Sequence, residues 1–423
     1  MKLLKYLSCM LFATALLPGP VVGSQVGKII DNYADIALAN YEDSLTTAVA
    51  LQDAINQLLH MPIKANLTAA KATWKTARAS YQQTEVFRFG NVIVDDWEGR
   101  VNAWPLDEGL IDYVSLGHIT SSEENPYYNA NIIANPYLNI GGVMVDASTI
   151  NKQLLSETLH EIDAIESNVA IGYHAIEFLL WGQDLNGNNS GSGNRPVTDF
   201  DLESCTNDNC DRRRDYLLAV TNLLVDDLHE MVKNWQIDGA AHVDLMAKND
   251  ISGLSTIITG MGSLAYGELA GERIKLGLML HDPEEEQDCF SDNTHWSHFY
   301  SAKGIKNVYL GSYTRIDGSQ VKGPSLSGLL RTRYGSIDDN MRMALEKTEA
   351  AMQKMADVAE AGAPFDVLIG KNNLAGNQVV QDVVDALVAE AAVIERAAVA
   401  LKLTDIERAG SSSLDNPDAV LSQ

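Results

Sequence analysis

The stretch that most constrains this chain is residues 172–182, which place a histidine and a glutamate inside an otherwise apolar segment, Gly-Tyr-His-Ala-Ile-Glu-Phe-Leu-Leu-Trp-Gly. In an α-helix three residues turn the chain by about 300°, so His174 and Glu177 lie about 60° apart on one face. The apolar residues cover the other directions, which predicts a helix buried on nearly all sides. A buried histidine and carboxylate need a partner: another side chain, a metal ion or a proton-transfer role. We therefore expect this helix to hold the functional centre.

Elsewhere the dominant pattern is the 3.6-residue helical period, and alternating segments typical of strands are scarce. The helical period recurs at residues 26–61, 67–88, 149–167, 211–235, 254–280, 329–355 and 379–401. We predict an all-α fold of two helical-bundle domains with long loops. The predicted division is an N-terminal domain with the His174/Glu177 helix, a C-terminal domain and a disordered tail, at residues 24–238, 239–410 and 411–423.

Two regions between the periodic segments are predicted to be loops. Residues 92–139 are interrupted by prolines and charges, and an insert of this length in a helical protein more often shapes a site than merely connects helices. Residues 184–188 resemble the first half of a calcium loop. However, Asn189 stands where the EF-hand turn needs glycine, and Arg195 stands where its last ligand should be glutamate. We therefore expect a mobile connector there.

The first residues have the pattern of a secretory signal peptide. Lys2 and Lys5 precede an apolar run at residues 7–17, and Gly23 offers a small residue at the cleavage site. This apolar run is too short to span a bilayer as a helix. We expect residues 1–23 to be removed and the mature protein to be periplasmic without a membrane span, with peripheral contact to the outer membrane left open.

The chain is strongly acidic, with 57 aspartates and glutamates against 31 lysines and arginines and a formal net charge of −26. A charge of this sign repels nucleic acid and anionic membranes, and it attracts cations. We therefore expect no nucleic-acid partner. A well-solvated acidic surface is the simpler explanation of the charge, and cation capture is compatible with it.

Cys205, Cys210 and Cys289 follow the signal peptide, and an exported chain can form disulfides. We favour a Cys205–Cys210 bridge across the short polar loop between them, and leave a bridge from either of these to Cys289 open. The chain has no C-x-x-C, which argues against a zinc–thiolate or redox-thiol site.

The string at residues 172–182 resembles the G-x-H-x-x-E motif of the imelysin family, a peptidase M75-like group. Further segments resemble the iron-regulated, IrpA-like branch of that family, namely Phe-Arg-Phe-Gly at 87–90, Trp-Pro-Leu-Asp at 104–107, Cys-Asp-Arg-Arg-Arg at 210–214 and Cys-Phe-Ser-Asp-Asn-Thr-His at 289–295. The resemblance implies an all-helical, two-domain exported protein linked to iron uptake, with one bundle duplicating the other. It also implies a metal ion or an iron chelate as ligand and other envelope iron-uptake proteins as partners.

Three functions compete for His174 and Glu177. The first is metal binding, where an imidazole with carboxylate oxygens suits iron, with zinc as the alternative. The second is the metallopeptidase that the family name implies; zincins use H-E-x-x-H, which is absent, so we predict no catalytic residues. The third is a non-catalytic binding or scaffold protein in which the two residues form a structural hydrogen bond.

Four further residues are secondary candidates for the site. Glu85 and Arg88 are three apart, which fits a surface ion pair, while the family resemblance suggests that Glu85 points into the site. Glu268 and Glu272 are four apart on one helix face, where like charges repel unless a cation lies between them. That cation is either Arg273 or a metal. We expect these four to act as ligands or as groups that orient the ligands.

Overall fold

The computed structural model describes residues 24–115, 125–404 and 406–421, so the signal peptide predicted at residues 1–23 lies outside it. The α-helices of the first half are α1 (Gln25–His60), α2 (Lys64–Tyr81), α3 (Val92–Asn102), α4 (Glu108–Ile111), α5 (Gly172–Trp181), α6 (Cys210–Trp235) and α7 (Ala240–Ala247). Shorter helical turns are 3₁₀ segments at Gln82–Phe87, Ile162–Ala164 and Val197–Phe200 and a π-helical segment at Leu154–Leu159.

The second half continues in the same way. Its α-helices are α8 (Asp250–Ser263), α9 (Leu276–Leu280), α10 (Thr294–Leu310), α11 (Leu326–Arg333), α12 (Gly335–Glu360), α13 (Phe365–Ile369), α14 (Leu374–Ala400), α15 (Ser412–Asp415) and α16 (Pro417–Val420). The other helical segments are a π-helix at Leu264–Lys275, which joins α8 to α9, and a 3₁₀ turn at Pro283–Glu285.

Strands are confined to two small antiparallel hairpins within the described ranges. β1 (Tyr137–Ile140) pairs with β2 (Val143–Asp146), and β3 (Ser312–Thr314) pairs with β4 (Gln320–Lys322). The all-α prediction is confirmed. No helix in the described part of the chain has both the length and the apolar character needed to cross a bilayer.

The buried apolar residues of both halves form one continuous core. α1 packs along α2 and α6, α12 packs along α14, and the 3₁₀ segment Gln82–Phe87 packs against α10. Every residue of Gln82–Phe87 is buried, so this first-half segment is embedded among second-half helices. The division into two domains at residues 238 and 239 stays a prediction.

The π-helical segment Leu264–Lys275 is approached closely by other backbone. A β-carbon on Gly260, just before it, would lie 2.4 Å from the Val86 carbonyl oxygen, and one on Gly267 would lie 2.7 Å from the Ala409 carbonyl oxygen. Small residues are therefore required at the two points where the backbone of other segments touches this helix. Because a π-helix hydrogen-bonds residue i to i+5, the segment brings Arg273 beneath Glu268.

Several local expectations were wrong. Residues 92–139 contain α3, whose apolar positions Val94, Trp97 and Val101 are buried while Asp95 and Asp96 obscure the period. The α-helix expected at residues 149–167 is instead a π-helical segment followed by a 3₁₀ turn.

The tail expected to be disordered is helical from Ser412 to Val420 apart from Asn416. It packs on the π-helix, where the Ser413 hydroxyl donates a 2.9 Å hydrogen bond to the Gly271 carbonyl. The loop at residues 183–200 is also tied down rather than loose, since the Gly193 amide donates to the Phe290 carbonyl at 2.9 Å.

Cys205 and Cys210 are joined by a disulfide with their Cα atoms 5.9 Å apart. Cys289 is buried and free. Burial raises the pKa of the Cys289 thiol well above its usual value, so the thiol stays protonated and unreactive.

Candidate metal centre

The glycine that opens α5 positions the centre. Gly172 has φ +84°, and a β-carbon on it would lie 2.6 Å from the Val101 carbonyl oxygen. Only glycine combines this backbone conformation with so close an approach. The first residue of the G-x-H-x-x-E string is therefore needed to press α5 against the end of α3, with every residue of α5 buried.

His174 and Glu177 face each other on α5 as the spacing predicts. The His174 Nδ1 and a Glu177 carboxylate oxygen lie 3.1 Å apart, and their side chains are 1% and 0% exposed. The other Glu177 oxygen accepts a 3.0 Å hydrogen bond from the Ser291 amide. The Nε2 of His174 is buried and has no hydrogen-bond partner among the described residues.

Asp288 completes the group from the segment just before α10. Its Oδ1 lies 3.9 Å from the His174 Nδ1. The same oxygen accepts a 2.8 Å hydrogen bond from the Arg78 guanidinium, and the other accepts from Asn293 at 3.1 Å and from the Ser297 hydroxyl. One ligand atom each from His174, Glu177 and Asp288 lie within 4.8 Å of one another, and all three residues are buried.

Burial and charge shift the pKa values of these groups apart. Burial, followed by the nearby Arg78 charge, lowers the pKa of His174 to about 3. Burial and the charge of Asp288 raise the pKa of Glu177 well above its usual value. Burial alone would raise the pKa of Asp288. The pKa is nevertheless held far below its usual value by the charge of Arg78, by His174 and by the hydrogen bonds from Ser297 and Asn293. The ring is thus neutral and able to donate a lone pair.

These residues fit a metal ion. An imidazole nitrogen with carboxylate oxygens is a donor set for iron or zinc. Arg78 already balances the charge of Asp288, whereas no lysine or arginine in the described ranges forms an ion pair with Glu177. A metal ion at this point would supply that missing positive charge, with His174 and Glu177 as ligands and Asp288 beside them.

Of the four secondary candidates, Glu85, Arg88 and Glu268 belong to an ion-pair network with Arg273, and Glu272 lies exposed on the surface. Glu85 is buried rather than on the surface, and it accepts a 2.7 Å hydrogen bond from Arg273. Glu268 lies 2.7 Å from Arg273 and 3.4 Å from Arg88. The cation that relieves Glu268 is therefore arginine. Glu272 is exposed, and in the described ranges it takes part in no ion pair.

This arginine–glutamate network borders a cleft of about 430 Å³ beside the centre. Glu98 connects the network to the centre. It accepts a 2.8 Å hydrogen bond from Asn102, and Asn102 accepts one of 2.6 Å from Arg78. Trp104 lines the cleft, and its ring centroid lies 6.0 Å from that of His174. The cleft thus reaches within one layer of side chains of the buried group, and its walls are rich in glutamate, namely Glu98, Glu161, Glu166, Glu268, Glu272 and Glu285.

Sequence reasoning missed Asp288, Arg78 and Asn102. Asp288 directly precedes the segment 289–295 that carries part of the family resemblance, which was the available signal. Arg78 and Asn102 lie on α2 and at the end of α3, and nothing in their local sequence marks them. Two histidines of α10, His295 and His298, lie outside this group of ligand atoms. His298 is buried against the Phe365 ring, with the ring centroids 5.5 Å apart.

The sequence profile of the peptidase M75 family, described as imelysin, matches residues 37–394. This chain belongs to the imelysin family. Its relatives include the iron-regulated protein A of Synechococcus elongatus, 32% identical over 85 residues. That match takes in 20% of this chain and only 24% of the relative's length.

Two solved structures share the imelysin fold with this chain. One is described as an iron-regulated protein A precursor from Parabacteroides distasonis, with a TM-score of 0.64 and 18% identity, covering 92% of this chain and 97% of that chain. The other is an imelysin-like protein from Psychrobacter arcticum, with a TM-score of 0.61 and 17% identity over 90% of this chain and 97% of that one. At these identities the likeness concerns the fold alone.

Proposed function

We propose that this imelysin-family protein is exported to the periplasm and binds a metal ion for iron uptake, through His174 and Glu177 with Asp288 beside them. The observation that carries the proposal is the buried group of three ligand atoms within 4.8 Å of one another. Export rests on the signal-peptide pattern of residues 1–23. Iron is preferred over zinc because a relative is named iron-regulated protein A, and both metals suit the donor set.

The site favours holding a metal over cleaving peptides. Glu177 is fully buried, and one of its oxygens already accepts the Ser291 amide, so it is badly placed to serve as a general base for a water. The adjacent cleft with its glutamate walls suits the approach of a cation or of a small iron chelate. We infer that the cleft is the route by which metal reaches the centre.

Metal analysis of the protein purified from a periplasmic fraction tests this proposal, followed by titration with iron(II) and zinc. We expect wild type to bind one equivalent, His174→Ala to bind none, and Glu177→Gln to bind at least tenfold more weakly because the charge is lost. His298→Gln is the matched control, since His298 is equally buried and its pKa is also lowered to about 3, mainly by burial.

The competing hypothesis is a purely structural hydrogen bond between His174 and Glu177. It predicts that His174→Ala lowers stability by about 1–3 kcal/mol without changing the binding of any metal. Thermal melts of the same variants, run beside the titrations, distinguish the two. Equal metal binding by wild type and His174→Ala would overturn the proposal.

A further inference from the structure

A second group of possible ligands contains oxygen atoms alone. Glu286 follows the turn Pro283–Glu285, Asp292 precedes α10, and Asp366 is the second residue of α13. One carboxylate oxygen from each lies within 4.8 Å of the others. Glu286 and Asp366 are each 1% exposed and Asp292 is half-buried, so the group lies largely beneath the surface.

Four of the six carboxylate oxygens of this group have no hydrogen-bond partner among the described residues. Neither carboxylate oxygen of Asp366 has a hydrogen-bond partner among the described residues, and one oxygen each of Glu286 and Asp292 is in the same condition. A buried polar atom without a partner lowers the stability of the fold, and it does so more strongly when it is charged. Three such carboxylates aimed at one point indicate a missing positive charge.

Other buried aspartates of this chain are balanced by arginine. Asp112 lies 2.7 Å from Arg195, and Asp338 lies 2.6 Å from Arg331. For Glu286, Asp292 and Asp366, in contrast, no lysine or arginine in the described ranges comes within ion-pair distance. Asp366 is therefore an exception among the buried aspartates of the described ranges.

The surroundings add negative charge. The charge of Asp184 acts to raise the pKa of both Asp292 and Asp366, while Lys75 acts on Asp292 in the opposite sense. Burial first and then Asp292 raise the pKa of Asp366 to about 7. The loop that carries Asp184 is held at the group, because the Asn188 amide donates a 2.9 Å hydrogen bond to the Asp366 carbonyl.

We propose that Glu286, Asp292 and Asp366 form a second cation site, selective for a hard divalent ion and specifically Ca²⁺, distinct from the His174 centre. Calcium binds through carboxylate and carbonyl oxygens in flexible arrangements and needs no nitrogen ligand. Iron and zinc favour a site that includes an imidazole, which this group lacks. The ion would fasten the segment 286–292 to α13.

The two sites share one segment of backbone. Glu286 and Asp292 flank Asp288, whose carboxylate faces Arg78 and His174. A cation at the second site would therefore hold Asp288 and the Ser291 amide in place for the first. Its role is structural, and it does not depend on whether His174 binds iron.

Calcium titration of the full mature chain after EDTA treatment tests the proposal, with melting temperature and terbium luminescence as the readouts. We expect millimolar Ca²⁺ to raise the melting temperature of wild type by several degrees, and Asp366→Asn and Glu286→Gln to lose most of this shift. His174→Ala should keep the full calcium shift, which separates the two sites.

Glu390→Gln is the matched control, because Glu390 is another fully buried carboxyl whose oxygens lack partners among the described residues. It should respond to calcium as wild type does. If the three acids are only a repulsive cluster, Asp366→Asn will raise the melting temperature in EDTA, and calcium will not move that of wild type. No calcium response in wild type, or an equal response in wild type and Asp366→Asn, would overturn the site.

Discussion

Arg78 of α2 and Asp288, 210 positions apart in the sequence, form a 2.8 Å ion pair in which both side chains are fully buried. The guanidinium also lies over the Tyr173 ring, 5.2 Å from its centroid. This pair fixes the one carboxylate of the centre that comes from the second half of the chain. The pair also holds the pKa of Asp288 below its usual value, whereas burial and then the charge of Asp288 raise that of Glu177.

Removing the charge of Asp288 should therefore be costly. We expect Asp288→Asn to lower the free energy of unfolding by about 3 kcal/mol or more, because the buried charge of Arg78 is left unbalanced. Asp339→Asn is the control, since it breaks an exposed pair with Arg331 and should cost under about 1 kcal/mol. Urea unfolding of the three proteins measures this. Similar losses in both variants would show that burial of the pair has no energetic consequence.

The opening glycine of the G-x-H-x-x-E string should tolerate no side chain. Gly172→Ala adds both the cost of a positive φ and a clash with the Val101 carbonyl, and we expect a loss of at least about 3 kcal/mol. Gly142 has nearly the same φ, +85°, but open space around it, so Gly142→Ala isolates the conformational cost at about 1 kcal/mol. Thermal and urea unfolding compare the two. Equal losses would mean that contact with α3 does not require glycine.

Glu390 should give the fold a measurable dependence on pH. Burial raises the pKa of this carboxyl from 4.5 to about 7. Since its pKa is raised in the folded state, the protein loses stability as pH rises from about 4.5 to 7, while the unfolded chain ionises and the folded one does not. Glu390→Gln removes this loss. The variant should match wild type near pH 4.5 and exceed it by about 3 kcal/mol at pH 7.

Urea unfolding at several pH values checks this prediction. Glu346→Gln, on the exposed side of α12, is the control and should follow wild type throughout. A difference between Glu390→Gln and wild type that stays constant across pH would show that Glu390 titrates normally in the fold.

The parts of the site that the sequence predicts are those set by local geometry. His174 and Glu177 meet because a helix brings residues three apart together, and this holds whatever surrounds the helix. Asp288 could not be found in this way, because its position depends on the packing of segments far apart in the sequence, such as its ion pair with Arg78, 210 positions away. Glu85 illustrates the same limit: an i,i+3 pair with Arg88 fits a surface equally well, and only tertiary packing buries it beside Arg273.

In the fold, too, the elements set by local sequence could be predicted and those set by tertiary packing could not. The long helices α1, α6, α12 and α14 follow from an apolar stripe that tertiary contacts only reinforce. α3 was missed because two adjacent aspartates obscure a stripe of three buried residues. The residue types at positions 264–275 do not distinguish a π-helix from an α-helix. The close approach of neighbouring backbone to the glycines of this segment is visible only in three dimensions.

The centre draws on chain positions from Arg78 to Ser291, which has a consequence for when it can form. A chain emerging from a ribosome or a secretion channel carries His174 and Glu177 long before Asp288 and Ser291 have arrived. Contacts so distant in sequence close late, after local helices have formed. Until then the two α5 residues lack the groups that position them. Under the proposed function, metal binding would therefore be delayed until the whole protein has folded, and a metal-loaded centre would mark a completely folded chain.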